Sequence, residues 1–498
     1  MLSDTQRLAQ VPVWRLWLLR GLLVAAGAFL CFWRLGDAEV MQWDESYYGI
    51  LASEMLETDD FINYHVAGKI EQWVGKPPLV VWAIAASYKL WGFNAFALRF
   101  PSALAMFILV LVAFEWQRKK IGLTLAFLFA ASLLTVKGIL GPHTGRTGDM
   151  DAFLILFSFL MVISSWEFLL TRKGKYLIYS AVFFVLAFYS KGTAVLLFLP
   201  GLGLTFLFHE RSLSFFKLKH FLIAIGVVAA GIFSWFLLVK LFGATYEEPL
   251  RAGDNAWDVM WGYETFGRLT TYHHEAIETH SDWDFLFVAL DVHVGIWFIV
   301  SSVFIIAQLA VSRLRQFFLD KGNFGGIQVL IFVLPAMLIT HFSANRFGWY
   351  IAPLTPFILL IPAYAIKQFN QLWRFSWLIY AALFVVSFSL QVQQFAKIKD
   401  SGDRGPSDEA AFVESNKALI SALENPIAIN ESGHVLYLEC KWLLPSTRFS
   451  FLAEIERSAP ENATVIAKKG GFGKLQAHSS LVLASGDFEI RKLNRGPN

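Results

Sequence analysis

The chain has 498 residues, 56% hydrophobic and only 16% charged, against roughly 25% charged in a soluble globular domain, and this deficit excludes a soluble enzyme with a greasy core. The net charge of +3 comes without a basic stripe, which excludes the usual nucleic-acid-binding classes. Of the two cysteines, Cys31 falls in an apolar run and Cys440 near the C-terminus, so a mutual disulfide is not expected and a zinc–thiolate site is excluded.

Apolar runs close to the ~20 residues that cross a bilayer predict eleven spans, over 14–35, 97–116, 121–140, 151–170, 176–190, 193–208, 220–242, 285–311, 326–343, 349–366 and 374–395. The first lacks a small-residue cleavage site and reads as a retained helix. Pro77–Trp91 is apolar but too short to span. Counting it would also invert every later loop, so it reads as an interfacial or re-entrant helix. Basic residues alternate along the chain: Arg118-Lys119-Lys120, then Arg172, Lys173 and Lys175, then Arg211, Lys217 and Lys219, then Arg313, Arg315 and Lys321, then Lys367 and Arg374. By the positive-inside rule these loops and the N-terminus are cytoplasmic. The opposite loops (36–96, 141–151, 243–284 and 344–348) face outward. An odd number of spans puts residues 397–498 outside as well. That segment is more polar and carries short β-like runs at Ala463–Ala467 and Ser480–Ala484, predicting a small α/β domain beyond a transmembrane domain of residues 1–396. No internal repeat stands out, which weighs weakly against an inverted-repeat transporter.

The outer loops gather ionisable groups at the membrane boundary. Trp43-Asp44-Glu45-Ser46-Tyr47-Tyr48 precedes a predicted short helix over Ser46–Glu57, and acids there are favoured by the helix dipole; plain capping by Asp44 is the alternative. Lys76, in Gly75-Lys76-Pro77-Pro78, is kept out of a helix by the prolines and can hold phosphate as a point charge, or simply snorkel. In Arg146-Thr147-Gly148-Asp149-Met150-Asp151, two acids at i and i+2 do not share a helix face, so one is expected to cap the helix while the other points elsewhere. Lys191 lies in a nearly continuous apolar stretch, where a cation is by default a functional candidate. The long loop carries Tyr263, Glu264, Arg268, His273, His274, Glu275, His280, Asp282 and Asp284, a metal-like composition without a His-x-x-x-His pair; a solvated loop is the favoured reading of most of these. Asn345-Arg346-Phe347-Gly348-Trp349-Tyr350 offers a cation and an aromatic belt. Together these groups suit a lipid phosphate held by cations, a sugar stacked on aromatics and a carboxylate base.

In order and spacing, these motifs resemble the polyprenyl-phosphate-sugar glycosyltransferases of the type C fold, which include protein O-mannosyltransferases and the aminoarabinose transferases of lipid A. The resemblance covers about residues 14–395. It is carried by Trp43-Asp44-Glu45-Ser46-Tyr47-Tyr48 with Glu54-Met55, Gly75-Lys76-Pro77-Pro78-Leu79 with Trp82, Arg99-Phe100-Pro101-Ser102-Ala103-Leu104, Arg146-Thr147-Gly148-Asp149-Met150-Asp151-Ala152, Ser190-Lys191-Gly192 and Arg346-Phe347-Gly348-Trp349-Tyr350. It implies an inverting transfer from an undecaprenyl- or dolichyl-phosphate sugar to a hydroxyl of a lipid, glycan or protein, at the outer face of a plasma (inner) membrane. Asp44 would be the base and Asp151 an orienting acid of the catalytic set. Lys76 and Lys191 would hold the carrier phosphate, joined by Arg268 on a looser alignment. Glu45, Tyr48, Arg146, Asp149, Arg346 and Tyr350 are expected to line the substrate, with Glu45 mattering less than Asp44. No cofactor is required. Some relatives carry a metal-binding acid where this chain has Gly75, so a divalent metal is conceivable but not expected. The competing classes fit less well: a secondary transporter wants its charges in mid-span, and a scaffold displaying the C-terminal domain has no use for so many interfacial charges.

Overall fold

A computed structural model of the chain describes residues 12–42, 44–209, 218–247, 252–270, 284–320, 324–369, 377–403, 408–424, 426–429, 433–450, 452–458 and 462–494. Trp43, Arg211, Lys217, His273, His274, Glu275, His280, Asp282, Lys321 and Arg374 lie outside the described residues. The chain is a multi-pass, α-helical membrane protein. Among the described residues six helices are long and apolar enough to cross a bilayer: Val13–Phe32, Ala95–Gln117, Asp151–Thr171, Lys175–His209, Lys219–Phe242 and Gly348–Phe369. Shorter apolar helices cover Leu79–Trp91, Leu123–Leu133, Ile327–Phe342 and Trp377–Leu390, the last being the start of a helix that continues to Asp403.

The expected count of eleven spans differs from this set for local reasons. The run 285–311 is not one straight span: Phe285–Val294 and Ile296–Ala310 meet at 110°, hinged on Gly295 in the left-handed region at φ +63°. The run 121–140 stops as a helix at Leu133 and resumes only as the short turn Lys137–Leu140. Lys175–His209 would be ~52 Å long if straight, well beyond a ~30 Å hydrocarbon core. Instead the chain reverses at Gly192, where φ is +60°. Lys191 pairs with Asp151 at one end of the neighbouring helix, while Phe206 stacks on Phe168 near its other end. The predicted pair of spans, 176–190 and 193–208, describes this better than a single helix.

The bundle has a charged end far from helix Asp44–Thr58. Lys120 pairs with Glu167 at 2.6 Å, Lys367 donates to the Lys120 carbonyl at 2.6 Å, and Arg20 grips Glu115 through two hydrogen bonds of 2.6 and 2.9 Å. The opposite end is closed by helix Asp44–Thr58, the ribbon β1 (His65–Val66) and β2 (Lys69–Ile70), and helix Leu79–Trp91.

The C-terminal segment is an α/β unit. Strands β3 (Ile427–Ile429), β4 (Arg448–Ser450), β5 (Thr464–Lys468), β6 (Ser479–Ser485) and β7 (Phe488–Leu493) form one sheet in the order β4-β3-β5-β7-β6. β3 runs parallel to β4 and β5, and β7 antiparallel to β5 and β6. Helix His434–Leu443 has two apolar faces. Leu436 and Cys440 pack with Ile466, Phe488 and Ile490 of the sheet, and Val435, Tyr437 and Leu438 join Ile50, Leu51, Val81 and Ile84 of the outer-loop helices. Both cysteines are free and buried.

Candidate active site

The site begins with helix Asp44–Thr58, whose first turn carries both acids. The two side chains diverge. Glu45 is 2% exposed and fully engaged: Arg99 donates from Nε at 2.6 Å and Nη2 at 3.0 Å, Gly148 N–H at 2.9 Å and Met41 N–H at 2.8 Å. Arg99 also donates to the carbonyls of Leu35, Ala38 and Glu39. Glu45 is thus a keystone joining the first loop, the span Ala95–Gln117 and the loop before Asp149, and the expected place against substrate does not describe it. Arg146 likewise turns away. It donates to Leu30 O at 2.8 Å and Trp33 O at 2.9 Å, with Cys31 O and Arg34 O further off, and so satisfies the orphan carbonyls that end the first span. Arg346 is half-buried, beside Asn345, whose N–H and Nδ2 both donate to Arg268 O.

Asp44 faces the other way. Its side chain is 45% exposed and its Oδ2 lies 3.6 Å from His143 Nδ1. The surrounding protein and then the charge of Asp149 push its carboxyl up from the ordinary range, while Lys76, His143 and Lys191 pull it back. Asp149, 2% exposed, accepts from His143 Nδ1 at 2.7 Å and from Met150 N–H at 2.5 Å. Burial opposes its charge, but the bond to His143 prevails and holds its carboxyl low. Asp151 receives Lys191 Nζ. Neither acid caps the helix Asp151–Thr171 by a side-chain bond. The expected division of labour gives way to one ion pair for each acid, and the i, i+2 spacing is what sends them to different partners.

Lys76 reaches the same place from the first loop. Its Nζ lies 3.5 Å from Glu264, and Tyr64 Oη donates to its carbonyl at 3.1 Å. Glu264 sits on a π-helical turn, Gly262–Gly267, a distortion common at functional sites. Thr265 of that turn bonds Thr193, just past the reversal at Gly192. A Cβ on Gly75 would lie 2.3 Å from Ala256 O and 2.5 Å from Met260 N, so a metal-binding acid has no room there. Arg268 Nη1 donates to Tyr350 Oη at 3.0 Å, and Lys191 Nζ stands 5.8 Å from the centre of the Tyr350 ring. Tyr48 is buried, and burial followed by the charges of Asp44, Asp149, Glu264 and Asp151 drives its phenol well above the usual range. The structure therefore brings together Asp44, Tyr48, Lys76, Asp149, Asp151, Lys191, Arg268 and Tyr350, and leaves Glu45 and Arg146 in the framework.

Sequence reasoning passed over His143. It is the residue among these with a left-handed backbone, φ +59°, and its ring stacks on Trp349 at 4.1 Å and 15°. A histidine amid Gly-Pro-x-Thr-Gly was the available signal. Asp44, His143 and Asp149 bring one potential ligand atom each to within 4.8 Å of one another. Within that group His143 Nδ1 donates to Asp149.

Residues 75–238 match the family described as dolichyl-phosphate-mannose-protein mannosyltransferase. The chain is 25% identical over 257 residues to a Bacillus subtilis protein provisionally named mannosyltransferase YkcB, covering 50% of this chain and 34% of that one. It is 25% identical over 363 residues to the Pseudomonas fluorescens undecaprenyl phosphate-alpha-4-amino-4-deoxy-L-arabinose arabinosyl transferase 2, covering 72% of this chain and 57% of that one. The matched regions thus span between about a third and somewhat over half of these relatives. The fold is that of the crystal structure of ArnT from Cupriavidus metallidurans bound to undecaprenyl phosphate, with a TM-score of 0.72 over 95% of this chain and 97% of that one, at 13% identity.

Proposed function

We propose that the chain is a type C polyprenyl-phosphate-sugar glycosyltransferase that moves a sugar from a polyprenyl phosphate to a hydroxyl acceptor, with inversion, a reading supported by its likeness to the mannosyltransferase family model and to the arabinosyl transferase. One arrangement carries the reading: Lys76 from the first loop and Lys191 from the end of helix Lys175–Lys191 are each paired with an acid of one charge cluster, in which His143 links Asp149 to Asp44. Each lysine is held by an acid of its own, Glu264 for Lys76 and Asp151 for Lys191. The cations are therefore pre-positioned, and an incoming phosphate competes for them with one carboxylate each.

The leaving group is a lipid phosphate, whose growing negative charge as the glycosidic C–O bond breaks is met by Lys76, Lys191 and Arg268. Asp44 accepts the acceptor's proton as that oxygen attacks the anomeric carbon from the opposite side. Phosphate leaves without a general acid, so the second carboxylate of a glycosidase is not needed. Asp151 and Asp149 keep their cations in place, and Tyr48 and Tyr350 wall the sugar. The lysines supply the positive charge that a divalent ion would otherwise bring, so the transfer runs without a metal. On this reading the site faces outward, the N-terminus lies in the cytoplasm and residues 397–498 lie outside, which the alternation of basic loops supports.

The test uses the full chain in nanodiscs with a panel of undecaprenyl- and dolichyl-phosphate sugars and an envelope lipid and glycan extract as acceptor. Release of polyprenyl phosphate, matched by a product of inverted anomeric configuration, is expected with at least one donor. Turnover with nucleotide sugars instead, or a retained configuration, overturns the reading.

A further inference from the structure

His143 stands at the centre of the charge cluster. Its Nδ1 is 2.7 Å from Asp149 Oδ2 and 3.6 Å from Asp44 Oδ2. Carboxylates only accept, so this nitrogen carries a hydrogen that it donates to Asp149, and Asp44 faces the ring at ion-pair distance rather than through a hydrogen bond. Three restraints fix the ring. Its backbone is held in the left-handed region, which few non-glycine residues occupy. Trp349 stacks flat against one face. Asp149 is itself anchored, its carboxylate by Met150 N–H and its carbonyl by Ser102 Oγ. Asp44 has no such support, being 45% exposed with His143 as its nearest ion-pair partner among the described residues. A base so placed is reachable by an acceptor but free to turn, and misplacement of about 1 Å costs on the order of 100-fold in rate.

We infer that His143 is a positioning residue for the transfer: locked by Asp149 and Trp349, its ring stands at ion-pair distance from Asp44 and limits the orientations in which that carboxylate meets the acceptor hydroxyl. The inference rests on the glycosyl-transfer reading above and deepens it. The acceptor's proton goes to Asp44 and on to solvent, and His143 keeps its own hydrogen throughout. The role is also electrostatic. Asp44 is faced by Asp149, Lys76, His143 and Lys191. His143 is faced by Asp149, Asp44 and Asp151, with His293 on a further side. Burial disfavours the imidazolium, but the bond and charge of Asp149, then Asp44 and Asp151, outweigh it and raise the imidazole's pKa. These neighbours favour the imidazolium, and a positive charge there favours the ionised form of Asp44.

The experiment compares wild type, His143→Ala, His143→Asn and Asp44→Asn in nanodiscs, measuring kcat, donor KM, thermal unfolding and the pH profile of kcat. Asn places a side-chain N–H near the position of Nδ1 but carries no charge. His143→Ala is expected to lose kcat about 10- to 100-fold with donor KM within twofold, because the lysines are untouched. His143→Asn, which can donate to Asp149 but is smaller and carries no charge, is expected to recover little of that loss. In both variants the acid limb of the profile moves to higher pH, since burial and Asp149 then act on Asp44 with one cation fewer. Wild-type kcat in His143→Ala overturns the inference, as does a loss that follows unfolding with the acid limb unmoved. Should His143→Ala not fold, an unmoved acid limb in His143→Asn overturns it alone. Transfer by wild type that is abolished in Asp44→Asn but intact in His143→Ala removes this inference and leaves the functional reading standing. No transfer by wild type with any polyprenyl-phosphate donor removes both.

Discussion

Asp44 and Glu45 are neighbours in sequence with opposite expected fates. Asp44→Asn removes a carboxylate that is 45% exposed, with its nearest ion-pair partner 3.6 Å away. An exposed pair of that kind is worth about 0–1 kcal/mol, and Asn serves as well as Asp at a helix start, so folding should hardly change. The amide cannot take the acceptor's proton, and loss of a general base lowers turnover by roughly 10²–10⁴-fold. Glu45→Gln is the inverse case. Glu45 accepts four hydrogen bonds, two from the buried Arg99 guanidinium, and its loss leaves that cation unpaired. Breaking a buried pair from one side costs about 3–5 kcal/mol, a large share of the total stability of a folded protein. Size-exclusion profiles and thermal unfolding in detergent, read beside turnover of a polyprenyl-phosphate sugar, separate the two. Asp44→Asn should be monodisperse, as stable as wild type and inactive; Glu45→Gln should unfold at lower temperature. An Asp44→Asn protein that turns over within threefold of wild type refutes the base assignment, and a Glu45→Gln protein as stable as wild type refutes the keystone reading.

Lys76→Ala and Lys191→Ala should each weaken donor use by the worth of one charge-assisted bond, about 1.5–3 kcal/mol, read as kcat/KM; an unchanged value in both would remove the phosphate site. Exhaustive chelation should leave turnover intact, and its loss with recovery on adding a divalent ion would restore the metal. Glu439 is pushed up to about 7 by burial and then by Glu409. Its folded pKa lies above its unfolded value, so its contribution favours folding at low pH and is lost as pH rises from about 4.5 through 7. Glu439→Gln should therefore flatten the fall in melting temperature over that window, and an identical slope in both proteins would contradict this. A reporter fused at the C-terminus should read as extracytoplasmic.

The membrane class, the clustering of charged loops at one end of the bundle and the two C-terminal strands near 464 and 480 were legible in the sequence, because apolar length and alternation are local properties. What was not legible depends on partners distant in the chain. Arg146 lies in the same motif as Asp149, yet it serves the end of a helix more than a hundred positions earlier. Glu45 and Asp44 differ only in which side of a helix start they leave from, and nothing local says that Arg99 waits on one side. Arg99 itself was a missed signal, a cation within a predicted span. The bend at Gly295 and the reversal at Gly192 turn on single glycines inside apolar runs, where hydropathy is blind to backbone sign. His143 was hidden because its meaning comes from Trp349 and Asp149, which only folding brings to it.

The helix that begins with Asp44 ends in the grip of the C-terminal unit. Glu54 accepts from Tyr437 Oη at 2.7 Å and pairs with Lys441 at 2.9 Å, and Glu57 takes the same lysine at 2.7 Å. Glu54 also accepts from the N–H groups of Ala67 and Gly68 in the ribbon turn. Ten residues of helix, ~15 Å, separate this clasp from the reacting acid. The two regions are therefore one inheritable piece: a chimera that exchanges residues 408–494 between relatives without residues 44–70 leaves a buried lysine or a buried glutamate unmatched, and fails by misfolding before its acceptor preference can be read. Under the transfer proposed above, changes that retune the acceptor must arise on both sides of this clasp together, so correlated substitution between these two stretches is the mark to look for when related sequences are compared.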